Sequence, residues 1–189
     1  MLKIENTKVY GIEDSVKASG YPKNINESNV DYERAKKLGS VKLGSGHDCF
    51  LKGIVVMCDI IYPEYWSPQF QRYHFADIIS SQSKMHMIME FDLDKCCNKY
   101  VDKDIINTIN LYKDALKRAT VKESKYYWFM KIISNLPMGF EKKMRIVTNY
   151  LQLKTIYTQR KNHKLKEDWG IFCKWILELP KFSEFTGLK

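Results

Sequence analysis

Apolar and polar positions change their spacing several times along the chain, and each change marks an element. Residues 3–10 read as a short strand. Residues 20–46 contain Gly20, Pro22, Gly39, Gly44 and Gly46, which predicts a long loop around a short helix near 31–38. From Phe50 to Tyr62 the chain is apolar and β-branched until Pro63, the pattern of a buried strand. Residues 66–80 place Trp66, Phe70, Tyr73 and Asp77 on one helical row behind Ser67-Pro68, a cap followed by a first-turn proline. Residues 102–118 predict an amphipathic helix with Asp102 as N-cap and Ile105, Ile109, Tyr112 and Leu116 as its stripe. Further helices are expected over 123–135, 141–161 and 167–178, the first ending before Pro137-Met138-Gly139 and the last stopped by Pro180. Helix exceeds strand, so the expected class is α+β, with one domain over 1–189.

Composition narrows the setting. With 44% hydrophobic and 28% charged residues among 189, the chain is globular rather than disordered. It has no apolar run of the ~18–20 residues that a membrane span needs. The first residues lack the basic and apolar regions of a secretion signal, so a cytoplasmic protein is expected. The five cysteines include no Cys-x-x-Cys and no histidine at zinc-ligand spacing. Reduced thiols and no metal site are expected. Charge is uneven: residues 1–95 carry 12 Lys/Arg against 13 Asp/Glu, and residues 96–189 carry 19 against 9. The second half therefore attracts phosphate, on a nucleotide, a nucleic acid or a membrane surface.

Four stretches carry candidate chemistry. Gln69-Phe70-Gln71-Arg72-Tyr73-His74 sets amides, a guanidinium and an imidazole at a helix start, where amide dipoles favour an anion. On a helix Arg72 and His74 would diverge by about 200°. Ser80-Ser81-Gln82-Ser83-Lys84 can wrap a phosphate or serve as an ordinary turn. Gly44-Ser45-Gly46-His47-Asp48 lacks the spacing of a phosphate loop and reads alone as a turn. Asn149 and Arg160 lie eleven residues apart, about 16 Å along a helix, which is the reach of a nucleotide. No nucleophile triad and no pair of catalytic carboxylates is visible. Tyr126, Tyr127 and Trp128 either belong to the core, as helical spacing suggests, or form a stacking platform for nucleic acid.

Together these stretches resemble the flavin-dependent thymidylate synthases, over roughly residues 44–90 and 130–178. Gly46-His47-Asp48 stands where that family has Gly-His-Glu before its first long strand, and a strand ending in proline follows, here Pro63. Gln69 comes six residues later, and Arg72, three further on, matches the first arginine of the hallmark Arg-His-Arg-x-x-Ser-x-x-x-x-Ser. Leu136-Pro137 resembles a family Leu-Pro, with Asn149 thirteen residues after that Leu and Arg160 eleven after the Asn. Trp169 also falls in the family's pattern.

The resemblance implies a mixed sheet packed with several helices, in an enzyme that uses FAD, with folate and NADPH as co-substrates, to methylate dUMP in sites shared between subunits of a homotetramer. It assigns Gln69, Arg72, Ser83, Lys84 and Arg160 to the pyrimidine nucleotide. His47, Cys49, Tyr73, His74 and Asn149 go to the flavin. The hallmark is altered: Tyr73 and His74 replace its His and second Arg, Asp77 its first Ser, and Lys84 a phosphate-gripping arginine. Ile133 and Leu151 stand at two further family arginines. Each charge-assisted bond contributes ~1.5–3 kcal/mol, so these changes lower the expected affinity for the family's nucleotide. Two alternatives stand beside the enzyme: a diverged, non-catalytic relative that binds a nucleotide or partner, and a basic nucleic-acid-binding protein.

Overall fold

The structure, a computed structural model, describes residues 1–23 and 30–189. Strands β1 (Lys3–Tyr10), β2 (Val55–Pro63), β3 (Asp77–Ser81) and β4 (Glu141–Asn149) form one antiparallel sheet in the order β1-β2-β4-β3. Around it lie α1 (Ile12–Ala18), α2 (Tyr32–Gly39), α3 (Ser67–Phe70), α4 (Lys84–Met87), α5 (Leu93–Cys96), α6 (Lys103–Arg118), α7 (Lys122–Asn135), α8 (Tyr150–Arg160), α9 (Lys166–Glu178) and α10 (Phe182–Thr186). The α+β class expected from the sequence is observed, but the sheet is antiparallel throughout rather than mixed, because each neighbouring pair of strands runs in opposite directions.

The register of the central pair decides which side chains go where. Val56 opposes Thr148, Cys58 opposes Ile146 and Ile60 opposes Met144, and all six are buried. Because a strand alternates faces, Asp59 opposite Arg145 and Ile61 opposite Lys143 point to the other side. The buried side packs against α3, α8, α9 and α10 through Trp66, Phe70, Tyr150, Trp169, Phe172, Phe182 and Phe185. Trp66 stacks on Phe70 at 4.8 Å and meets Trp169 at 4.9 Å between ring centroids. Burying each such ring contributes on the order of 1.5–3 kcal/mol. A second cluster, Ile88, Phe91, Leu93, Ile106, Ile109, Ile132 and Phe140, lies under the α6–α7 hairpin.

Several elements differ from the sequence expectation. Over 66–80, only Ser67–Phe70 is helical: Trp66 and Phe70 keep their shared row, but residues 77–81 leave it to pair with β4. Backbone pairing to an open strand edge, aided by the β-branched Ile78 and Ile79, outweighs the helical spacing. The helix expected over 141–161 is a strand followed by a helix. Met144, Ile146 and Thr148 face the core at period two, and Asn149 then caps α8 by accepting the Gln152 N–H at 2.9 Å. The run 50–62 becomes a 3-10 turn over Cys49–Gly53 and β2. In α6 the buried row is Ile106, Ile109 and Lys113, leaving Ile105 exposed, and the Asp102 side chain makes no capping bond. The helix near 31–38 is α2, capped by Asp31 through the Arg34 N–H. Residues 24–29 of the expected 20–46 loop lie outside the described residues.

One ion pair ties the loop before β2 to the helical layer. Lys154 Nζ donates to Asp48 Oδ2 at 2.6 Å and to the carbonyls of Gly39 and Val41 at 2.8 and 2.7 Å, so all three ammonium donors are used. Both side chains are buried, at 4% and 3% exposure. Lys154→Ala would leave Asp48 charged, buried and unpaired, at a cost of about 3–5 kcal/mol in urea unfolding. A loss below about 1 kcal/mol would contradict this role for the pair.

Candidate functional site

The sequence-assigned residues fall into three groups in one chain. The first joins α3, the turn after it, α8 and α9. Its placement follows from Asp168 in the first turn of α9, which is buried and accepts the Leu2 N–H at 3.1 Å and the Tyr65 hydroxyl at 2.7 Å. That anchor fixes the neighbouring Trp169, whose Nε1–H donates to Gln69 Oε1 at 3.1 Å. The Arg160 guanidinium lies 4.8 Å from the Trp169 ring and 5.4 Å from the Tyr73 ring, and its Nε–H donates to the Tyr73 hydroxyl at 2.7 Å. Tyr73 in turn donates to Gln159 Oε1 at 3.0 Å. Arg160 is thus held by its Nε and by two aromatic faces, with its terminal nitrogens left for an anion. Tyr73, assigned by resemblance to the flavin, is itself buried, and its hydroxyl is spent on orienting Arg160. Arg72 and His74 sit beyond the end of α3, and both are exposed. Their expected 200° divergence on a helix therefore does not apply.

The second group lies on the open face of the sheet. Ser80, Ser81 and Gln82 meet Asp59, Lys143, Met144 and Arg145 around a cleft of about 320 Å³. Gln82 Oε1 accepts the Lys143 N–H at 2.8 Å, which fixes the turn to β4. Asp59 accepts from Asn6 at 2.7 Å and from Arg145 at 2.9 Å, with Lys143 at 3.4 Å. The Asn6 hydrogen bond, with Lys143 and Arg145 behind it, holds the Asp59 carboxyl below its ordinary range. Ser83 caps α4, and Lys84 lies 3.4 Å from Glu64, which Lys142 shares at 3.0 Å. The cations here are already paired, but Lys143 and Arg145 keep more than a third of their side-chain surface. Partly solvated pairs of this kind are weak enough for a phosphate to compete.

The third group surrounds the junction of β4 and α8. Asn149, Leu151, Gln152 and Thr155 face Lys52 and Phe75 across a cleft of about 310 Å³. A smaller hollow of about 160 Å³ continues it past Asp77 and Thr148. Phe75 is 69% exposed, an unusual position for a free aromatic ring. His47 and Cys49 are exposed in the loop that Asp48 pins from behind. The clefts of the second and third groups share no lining residue, and neither is lined by Arg72 or Arg160.

Two contributors had no clear sequence signal. His163 lies 5.9 Å from the Trp169 ring, and its Nδ1 accepts the Leu165 N–H at 3.1 Å, which requires the neutral imidazole. Asp59 sits in an apolar strand and gave no hint of its cationic partners. All five cysteines are free thiols, and burial pushes Cys58 up to about 12 and Cys97 and Cys173 up to about 11. Those three are protonated at neutral pH and are poor nucleophiles. Among the described residues, no three His, Cys, Asp or Glu side chains gather to hold a metal ion, and no helix is long and apolar enough to cross a membrane.

Burial first, then the Arg160 and Lys164 charges, lowers the His163 pKa below the usual 6.5. The unfolded chain therefore binds this proton before the folded one does. Stability should fall as pH drops through 6.5 and continue falling until the folded-state value is reached. The urea midpoint of the parent should decrease from pH 7 to 5 more steeply than that of His163→Gln. Identical pH profiles would remove His163 from this account.

No protein-family model and no curated protein matches the sequence. The fold does match solved structures. Thymidylate synthase X (ThyX) from Helicobacter pylori with FAD and dUMP superposes at a TM-score of 0.69 and 15% identity, over 98% of this chain and 97% of that one. A flavin-dependent thymidylate synthase ThyX from Helicobacter pylori, complexed with FAD and dUMP, gives 0.66 and 14% over 97% of each chain. At such identities the likeness is one of fold, and the chain has a flavin-dependent thymidylate synthase-like α+β fold.

Proposed function

We propose that this chain is a flavin-dependent enzyme acting on a pyrimidine deoxynucleotide, transferring a one-carbon unit to dUMP or a closely related substrate. The observation that supports this reading most is the Arg160 cluster. Residues from three distant segments, Gln69, Tyr73, Arg160 and Trp169, are locked together to aim one guanidinium, on a fold whose solved neighbours hold FAD and dUMP.

The Asn149 cleft fits a flavin ring system. It reaches the lower end of the ~300–1,000 Å³ range of ligand pockets, offers Phe75 as a face and Asn149 and Gln152 as polar partners, and is too small for a whole dinucleotide. Bound there, FAD supplies the hydride, and a folate supplies the one-carbon unit; NADPH is the proposed reductant. The protein's own part is placement. Asn149 and Phe75 hold the ring, with His47, Cys49 and His74 free at the surface to complete its enclosure. Lys143, Arg145, Ser83 and Lys84 take a phosphate on the open sheet face, while Gln69, Arg72 and Arg160 read the nucleotide from another direction. Fixed cations oriented before binding raise affinity and align the pyrimidine without any attack by a side chain.

These groups lie apart in one chain, so the proposed site closes between subunits of a homo-oligomer, a tetramer by analogy. The β3 segment supports this: every residue of the strand is exposed, Ile78 and Ile79 among them, and Phe75, Met85 and Met87 beside it are exposed as well.

Purified protein loaded with FAD should show a bound-flavin absorbance spectrum, and it should release tritium from 5-labelled dUMP when reductant and folate are added. Flavin binding without release would leave the non-catalytic relative as the better reading. Failure to bind either flavin or dUMP, in protein that is folded, would overturn the proposal. Arg160→Ala should weaken dUMP binding by about tenfold or more, the loss of one charge-assisted bond of ~1.5–3 kcal/mol. Ile79→Lys should shift the species seen by light scattering toward monomer, and a parent protein that is monomeric at micromolar concentration would contradict the shared site.

A further inference from the structure

The α6–α7 hairpin projects a surface that neither the Arg160 cluster nor the two clefts uses. Helix α7 is apolar on more than one side. Ile132 is fully buried, with Phe129 and Ile133 beside it in the second core cluster, yet Tyr126 and Tyr127 are 66% and 55% exposed. At 100° per residue, Tyr126, Met130 and Tyr127 occupy the middle of the outward arc, with Lys122 at one margin and Lys131 at the other. The Tyr127 ring is braced through its neighbours. Tyr127 meets Trp128 at 5.1 Å, Trp128 meets Tyr112 of α6 at 5.9 Å, and Lys131 Nζ lies 5.2 Å from the Tyr112 ring.

Charge on the hairpin is one-sided. Residues 103–135 carry seven Lys/Arg against three Asp/Glu. Lys103 pairs with Asp94 and Lys117 with Asp114, while Lys113 is buried on the Phe91 carbonyl. Among the described residues, Arg118, Lys122, Lys125 and Lys131 have no carboxylate partner within 4.0 Å. Glu123 is the one acid on the tyrosine arc. Unpaired cations at the margins of two exposed aromatic rings complement a chain that alternates phosphate with flat π faces.

We propose that the outward face of the α6–α7 hairpin binds single-stranded nucleic acid, with Tyr126 and Tyr127 stacking on bases and Lys122 and Lys131 contacting phosphates. An acidic peptide would satisfy the lysines but would leave both tyrosines without a use. Double-stranded DNA would offer phosphates but no open base faces.

Fluorescence anisotropy of the full-length protein with a labelled 20-residue oligothymidylate tests this. Binding should be measurable at 50 mM salt, with log K falling linearly against log salt. The double variant Tyr126→Ala/Tyr127→Ala should weaken binding about tenfold or more at an unchanged salt slope. Lys122→Ala should flatten the slope by about 0.7, for the one phosphate no longer neutralised. These residues are exposed, so thermal melting of all variants should match the parent. No binding at 50 mM salt overturns the proposal, as does full affinity in the tyrosine variant or equal affinity for duplex DNA. Displacement by saturating free dUMP would assign the oligonucleotide to the nucleotide site and overturn it too. Binding of poly-glutamate with the same tyrosine dependence would make an acidic protein the occupant instead.

Discussion

The antiparallel pairing of β2 with β4 is the constraint on which the other features rest. Its register sends Val56, Cys58, Ile60, Met144, Ile146 and Thr148 to the helical side and Asp59, Lys143 and Arg145 to the open side. A slip of one residue would bury two cations against Trp66 and Phe70 and expose the core row. No local rearrangement compensates for that, so the apolar face fixes the polar one. The same pairing ends at Asn149, which turns the chain into α8 and so sets where Arg160 emerges eleven residues on.

From that frame the polar residues acquire distinct tasks. Arg160 is held by Tyr73, Trp169 and the Asp168 anchor beneath them, so its guanidinium has little freedom left to lose on binding an anion. Lys143 and Arg145, by contrast, share Asp59 and keep much of their solvent contact. One set is held in place, the other is partly solvated. Tyr73 fits this division, because its phenol bridges Gln159 and Arg160 with a single oxygen.

Much of this was legible in the sequence, and the exceptions have physical causes. The long α6 and α7, the turn at Pro137 and the short helix near residues 31–38 each follow from local chemistry and stand where expected. The strands β3 and β4 did not show themselves, because Trp66, Phe70 and Tyr73 mimic a helical row and Leu151, Leu153 and Ile156 continue one. The alternation of Met144, Ile146 and Thr148 was present but short, and only pairing with β2 makes it decisive. Intervals between Gln69, Arg72, Asn149 and Arg160 carried the likeness to a flavin-dependent fold at an identity where no sequence comparison matches. Partnerships such as Lys154 with Asp48, or Asp59 with Arg145, join residues more than eighty positions apart and leave no local trace.

In the proposed function, the open face of the sheet and the cleft at Asn149 form the halves of one ligand site closed by a second copy of the chain. A crystal structure grown with FAD and dUMP tests it most directly. The flavin ring should lie against Phe75 and Asn149 and the phosphate among residues 80–84, Lys143 and Arg145, with Arg160 of a neighbouring copy on the same nucleotide. Ligands bound away from both clefts, or both bound within an isolated monomer, would contradict it.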